Sequence, residues 1–176
     1  MPTGSYTHPL LGKVTFETEH RFWVRGDPIR FTSGFDPDIE VTSVLIPQLH
    51  DVPGSNRGKL RFHRKGHAQL QMAFADIERL GMMRFIRTCS GAFYARLRKP
   101  TSGVLSRLPS NHSFGLAIDL NANDGSLGGS VSPVAPVFEA HGFKWGKEFN
   151  DPMHFEVEEF VGSPVALSED IAALMK

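Results

Sequence analysis

The stretch Gly115-Leu116-Ala117-Ile118-Asp119-Leu120 constrains this chain more than any other. Successive side chains of a strand alternate between its faces, so Leu116, Ile118 and Leu120 point one way and Gly115, Ala117 and Asp119 the other. A fold containing it needs an apolar layer on one side. On the other it leaves a carboxylate among residues with almost no side chain, as if clearance were needed around Asp119. A second stretch, Asn150-Asp151-Pro152-Met153-His154-Phe155-Glu156-Val157, has the same character. There Phe155 and Val157 face a core and leave His154 and Glu156 opposite.

Around these stretches the chain mixes strand and helix signals. From about Lys13 to Ile46 it is rich in Val, Thr, Phe and Ile, punctuated by Gly26, Pro28, Gly34 and Pro37, which predicts short strands joined by turns. Pro53-Gly54-Ser55-Asn56 reads as a loop. Leu70, Ala73, Phe74, Ile77 and Leu80 share one face of a helix predicted from Lys65 to Leu80, with Gly81 as its stop. Arg84 to Cys89 alternates as a strand would. A second helix is predicted from Ser132 as N-cap and Pro133 at the first position to near Gly142. Ser168 is placed to cap a short final helix carrying Ile171, Leu174 and Met175. Strands and helices without regular alternation point to an α+β fold, a small antiparallel sheet packed with a few helices. A length of 176 residues with 40% hydrophobic side chains suits one domain. Within 1–176, residues 1–45 read as a β-rich N-terminal extension and 46–160 as the core carrying the site.

Nineteen basic and nineteen acidic side chains cancel. That balance argues against nucleic acid or an anionic membrane surface as partner, since either favours a basic face. No apolar run approaches the roughly 20 residues that span a bilayer, so no membrane insertion is expected. Met1 to Lys13 lacks a basic segment followed by an apolar one, so the expectation is synthesis in the cytoplasm without a standard signal peptide. The one cysteine, Cys89, excludes an intrachain disulfide and a cysteine zinc cluster, and reads as a buried structural thiol.

His112 lies just before the 115–120 strand and can turn back over the face of Asp119. With His154 this makes a His2Asp set of nitrogen and oxygen ligands, suited to a catalytic zinc with one position left for water. Asp151 precedes His154 by three residues, and Pro152 restricts its direction. A carboxylate there that is not a ligand can take a proton from metal-activated water. Other groupings are weaker. His63 and His67 read as surface histidines, and His141 as a helix-end histidine suited to the dipole. Asn121 to Gly125 lacks the glutamate that closes a calcium loop. No strand-turn-helix elbow surrounds Ser110, as a Ser110–His112–Asp119 triad would require.

Ser-x-His-x-x-Gly-x-Ala-x-Asp at 110–119 followed by Asp-x-x-His at 151–154 resembles the VanY-type zinc peptidases of the bacterial cell wall. That group includes D-alanyl-D-alanine carboxypeptidases and the L-alanyl-D-glutamate endopeptidases of phage endolysins, on a scaffold shared with the signalling domain of hedgehog proteins. Phe62-His63-Arg64-Lys65, Ser90 to Arg96 and Gly142 to Gly146 are similar to the same family, so the likeness spans about Ile46 to Glu156. The resemblance implies His112, Asp119 and His154 as zinc ligands and Asp151 as general base. Many relatives have glutamate at that last position. It implies Arg96, with Arg98 as the alternative register, as the arginine that binds substrate and steadies the oxyanion. Ser110 matches a serine near the metal or substrate, and Trp145 is a candidate cleft wall. The expected activity is hydrolysis of an amide bond in the peptidoglycan stem peptide, most simply as a carboxypeptidase. An endopeptidase and a non-catalytic zinc-containing wall-binding module are the alternatives. The protein would act on the cell wall or on recycled muropeptides.

Overall fold

Alternation in the first third of the chain produces strands, as the sequence predicts. In a computed structural model, which describes residues 1–100 and 102–175, β1 (Thr3–His8), β2 (Gly12–Thr18) and β3 (Ile29–Ser33) form an antiparallel sheet in chain order. Its first hairpin pairs His8 with Gly12 and turns through Gly12 at φ +82°. After α1 (Pro37–Glu40), β4 (Val41–Leu45) pairs antiparallel with β5 (Lys59–His63). The boundary expected after residue 45 therefore falls inside a two-stranded sheet. α2 (His67–Arg79) follows. The remaining strands, β6 (Ala117–Asp119), β7 (Phe143–Trp145) and β8 (His154–Val157), form an antiparallel sheet in the order β6-β8-β7, with α3 (Ala135–Ala140) before β7. α4 (Glu169–Leu174) closes the chain. The fold is α+β, with three small sheets among the described residues instead of one.

A single apolar cluster joins the last two sheets to the helices. Leu70, Ala73, Phe74 and Ile77 of α2 are fully buried, on the face the sequence predicts. Phe138 of α3 stacks on Phe155 of β8 at 4.4 Å between centroids. Each fully buried Leu or Phe contributes about 1.5–3 kcal/mol, so this packing holds β8 firmly from below. The N-terminal sheet docks through Phe114, whose ring centroid lies 4.6 Å from His8, 5.0 Å from Phe31 and 5.1 Å from Phe35.

Several local expectations are corrected. Arg84 to Cys89 is not a strand. A 3-10 turn occupies Met83–Phe85, and Cys89 makes only an isolated bridge to Leu120. In place of strand pairing, buried Asn121 satisfies that backbone, accepting from the Arg87 and Thr88 amides and donating to the Phe85 carbonyl. Pro133 sits inside a 3-10 helix, Gly129–Val134, and α3 starts after it with Pro136 in its first turn, so Ser132 is not its N-cap. Ser168 does cap α4, accepting from the Ile171 amide, but the helix buries Ala172 while Ile171 and Leu174 face outward. His63 is buried, not on the surface, held between Phe35 and Phe160. Cys89 is buried as expected, and burial pushes its thiol up to about 11. No helix among the described residues is long and apolar enough to cross a membrane.

Candidate metal centre

Register decides the geometry. β6 runs antiparallel to β8 with Asp119 directly opposite His154 and Ala117 opposite Glu156. Leu116, Ile118, Leu120 and Phe155 fill the core side, leaving Asp119 and His154 together above the sheet. His112 arrives from a one-turn 3-10 helix, Asn111–Phe114. Ser110 caps that turn, its Oγ accepting from the His112 amide at 3.3 Å. Gly115 ends the turn at φ +64° and sends the chain into β6. A Cβ on Gly115 would lie 2.8 Å from the His63 nitrogen and 3.0 Å from Val41. The glycine therefore serves close approach to β5, not clearance around Asp119.

His112, Asp119 and His154 each offer one ligand atom, all within 4.8 Å of one another. Asp119 Oδ1 is 3.2 Å from His112 Nε2 and 3.2 Å from His154 Nδ1. His112 Nδ1 faces the Ala92 carbonyl at 2.9 Å. A carbonyl only accepts, so Nδ1 carries the proton and Nε2 presents a lone pair to the carboxylate. Nε2 is buried and has no hydrogen-bond partner. His154 repeats the arrangement: its Nε2 meets Glu156 Oε2 at 2.7 Å, which fixes that nitrogen as donor and turns Nδ1 toward Asp119. Three lone-pair donors converging on one point, one of them otherwise orphaned, is the chemistry of a cation site, and the group can hold a metal ion.

The electrostatics agree. Burial alone would raise the Asp119 carboxyl, but the His112 and His154 imidazoles hold it well below the usual carboxylate range. Burial works against charge on His154 as well, yet Asp119 and Glu156 push it up to about 9. At neutral pH that leaves His154 protonated on both nitrogens in the metal-free chain, its Nδ1 proton facing Asp119, so a metal ion at this group would have to displace that proton.

A cleft of about 570 Å³ opens beside this group, lined by Arg96, Arg98, Lys144, Phe149, Asp151 and Glu156, together with Ser110, His112 and His154. Asp151 Oδ2 lies 3.9 Å from His154 Nδ1, and burial raises its carboxyl above the ordinary value. Gly146 lets the chain fold back there: a Cβ on it would lie 2.2 Å from the Asp151 carbonyl. Arg96 is fixed through its backbone by Ser113, and its charge interacts with Asp119 and Asp151 across the cleft. Arg98, also on the wall, is tied to the Pro109 carbonyl and the Tyr6 hydroxyl. Trp145 is the exception among the residues expected in the site. Its indole lies outside the cleft lining, parallel to Phe155, and donates to the Pro152 carbonyl at 2.7 Å. It thus supports the turn that carries Asp151 and presents no face to the cleft.

Sequence reasoning missed Phe149, which stands edge-on to His154 at 5.7 Å, and Tyr94, in the same relation to His112 at 5.8 Å. Glu156 was visible on the face of His154, two residues along the strand, without its role as hydrogen-bond partner.

Residues 105–157 match the family model described as D-alanyl-D-alanine carboxypeptidase. The match covers less than a third of the chain, and the resemblance expected for Phe62–Lys65 and Ser90–Arg96 lies outside it. No curated protein and no solved structure matches the chain significantly. The segment shared with that family ends with β8 and carries Ser110, the three clustered side chains, Asp151 and Glu156; Arg96 comes from outside it.

Proposed function

We propose that this protein is a zinc-dependent peptidase that hydrolyses an amide bond in peptidoglycan stem peptides, with removal of a terminal D-alanine as its reaction. The carrying observation is the convergence of His112, Asp119 and His154 around the orphaned His112 nitrogen. The family match over the same residues supports the substrate class. Two imidazoles and a carboxylate would suit zinc and would leave a coordination position for water.

Bound zinc supplies Lewis acidity, which makes water a nucleophile at neutral pH and polarises a carbonyl. Asp151, 3.9 Å from His154 Nδ1 and outside the ligand set, would take the proton of the attacking water and pass it to the leaving amine. Arg96 steadies the developing oxyanion or a substrate carboxylate. Arg98, Lys99 and Lys144 add positive charge to the cleft, which fits a peptide with a free carboxylate end. Ser110 acts through the His112 turn that it caps. Action on the wall or on recycled muropeptides is part of the same reading.

Metal analysis of the purified protein, with mass spectrometry of digested muropeptides, tests the proposal. Bound zinc and loss of one alanine mass are expected. Separation of glycan from stem would replace the reaction with L-alanyl-D-glutamate cleavage. Zinc with muropeptide binding and no product would leave a binding module.

A further inference from the structure

The wall of the cleft that carries Arg96 is built on the N-terminal sheet. The β2–β3 loop, residues 19–28, is braced from within. Its buried Asp27 carboxylate accepts from the His20 amide at 2.8 Å and from the Phe22 amide at 2.9 Å. The loop then holds residues 95–100 by their backbone. The Leu97 amide donates to the Asp27 carbonyl at 2.9 Å, and the Ile29 amide donates to the Ala95 carbonyl at 3.0 Å. Arg25 Nη2 donates to the Lys99 and Pro100 carbonyls at 3.2 Å each. Gly26, at φ +68°, supports the Lys99 side chain itself. A Cβ there would fall 2.8 Å from Lys99 Cγ and nearer still to Cε, so the lysine stem lies across the bare glycine.

Lys99 and Pro100 line the cleft together with Arg96. Two neighbouring cations are already engaged, Arg98 by the Pro109 carbonyl and the Tyr6 hydroxyl, Lys144 by Glu148 at 3.4 Å. Lys99 makes no ion pair among the described residues, and repulsion from Arg96, then burial and Arg25, holds its ammonium below the ordinary value. An anion bound there relieves that repulsion. A free lysine loses much rotamer freedom on binding, and here the loop has fixed the stem beforehand.

We propose that Lys99 binds the free terminal carboxylate of the substrate peptide, with Gly26 and Arg25 as the residues that position it. That assignment leaves Arg96 to the developing oxyanion. It deepens the peptidase reading above and rests on it. All three residues lie outside 105–157, so this part of the cleft comes from chain that the family match does not reach.

The test is calorimetric binding to the full chain with zinc added, carrying Asp151→Asn so that the ligand survives. The probe is a tripeptide ending in D-alanyl-D-alanine, as the free acid and as its C-terminal amide. The free acid should bind more tightly. Lys99→Met should weaken it roughly three- to tenfold, the worth of a partly exposed charged contact, and leave the amide unchanged. Lys99→Arg should restore most of the difference. Gly26→Ala should act in the same direction as Lys99→Met, because the added methyl displaces the lysine stem. If Gly26→Ala does not fold, Arg25→Gln loosens the same support. An acid–amide difference that survives Lys99→Met, or an equal loss for acid and amide, would overturn the assignment of Lys99. Unchanged binding in the folded Gly26→Ala or Arg25→Gln chain would overturn the positioning role. Hydrolysis by the wild-type chain is read separately. Acid-selective binding through Lys99 without any product would overturn the peptidase reading and leave Lys99 as the carboxylate contact of a binding site. A chain that binds neither peptide overturns both.

Discussion

At the scale of single residues, Asp119 is the hub, one carboxylate oxygen facing both imidazoles at 3.2 Å. Removing His154 takes away one of the three clustered donors and leaves the Asp119 charge buried with half of its compensation. His154→Ala is therefore expected to lose both bound zinc and peptidase activity, read by metal content and muropeptide release. Asp151 stands 3.9 Å from the same ring without belonging to the ligand cluster. Asp151→Asn should keep its zinc and lose activity by a factor on the order of 10²–10⁴, the usual contribution of a general base. A fully active Asp151→Asn enzyme, or one stripped of zinc, would contradict the role assigned to it. The histidines and aspartates of the site were legible because their types and spacing are chemical signals. The positions of Glu156 in a hydrogen bond and of Trp145 outside the cleft were not, since neither depends on residue type alone.

At the scale of elements, the pairing of β6 with β8 converts two separate motifs into one site. Two glycines allow it, Gly115 before β6 and Gly146 where the chain folds back on Asp151. Gly115 combines φ +64° with a nearest approach of 2.8 Å to the His63 backbone. Gly115→Ala should cost at least about 1–2 kcal/mol from the left-handed conformation, before any shift of β5. The urea midpoint measures it, and an unchanged midpoint would be at odds with the turn described. β5 also carries a pH dependence. Burial lowers His63 from an ordinary value near 6.5 to about 4. The folded protein keeps it neutral while the unfolded chain protonates it. The linked stability is intact above about pH 6.5 and drains away as pH falls toward 4, by roughly 2–3 kcal/mol. His63→Gln should flatten that part of the stability profile, measured by denaturant unfolding at a series of pH values. Element types were mostly readable, since α2 shows its buried face in its spacing. The Arg84–Cys89 segment was misread because alternation is blind to whether a partner strand exists; here Asn121 takes the partner's place.

At the scale of the whole molecule, the site binds three small sheets into one unit. Phe114, inside the metal-motif turn, is packed by His8, Phe31 and Phe35 of the N-terminal region. A ligand that binds only the folded state stabilises it by mass action, about 2.7 kcal/mol at a hundredfold excess over Kd. Zinc should accordingly raise the thermal midpoint of the wild-type chain and leave that of His154→Ala unmoved, in a melt run with and without metal. The sequence alone determined the α+β class, the core face of α2, and the ligand and base candidates. Those follow from residue type and from periods of 2 and 3.6, which are local. Tertiary structure alone decided that Asp119 faces His154, that Gly115 yields to β5, and that His8 meets Asn111 from 103 residues away. These depend on which strands pair and in what register, and pairing is settled by packing between residues far apart in the chain.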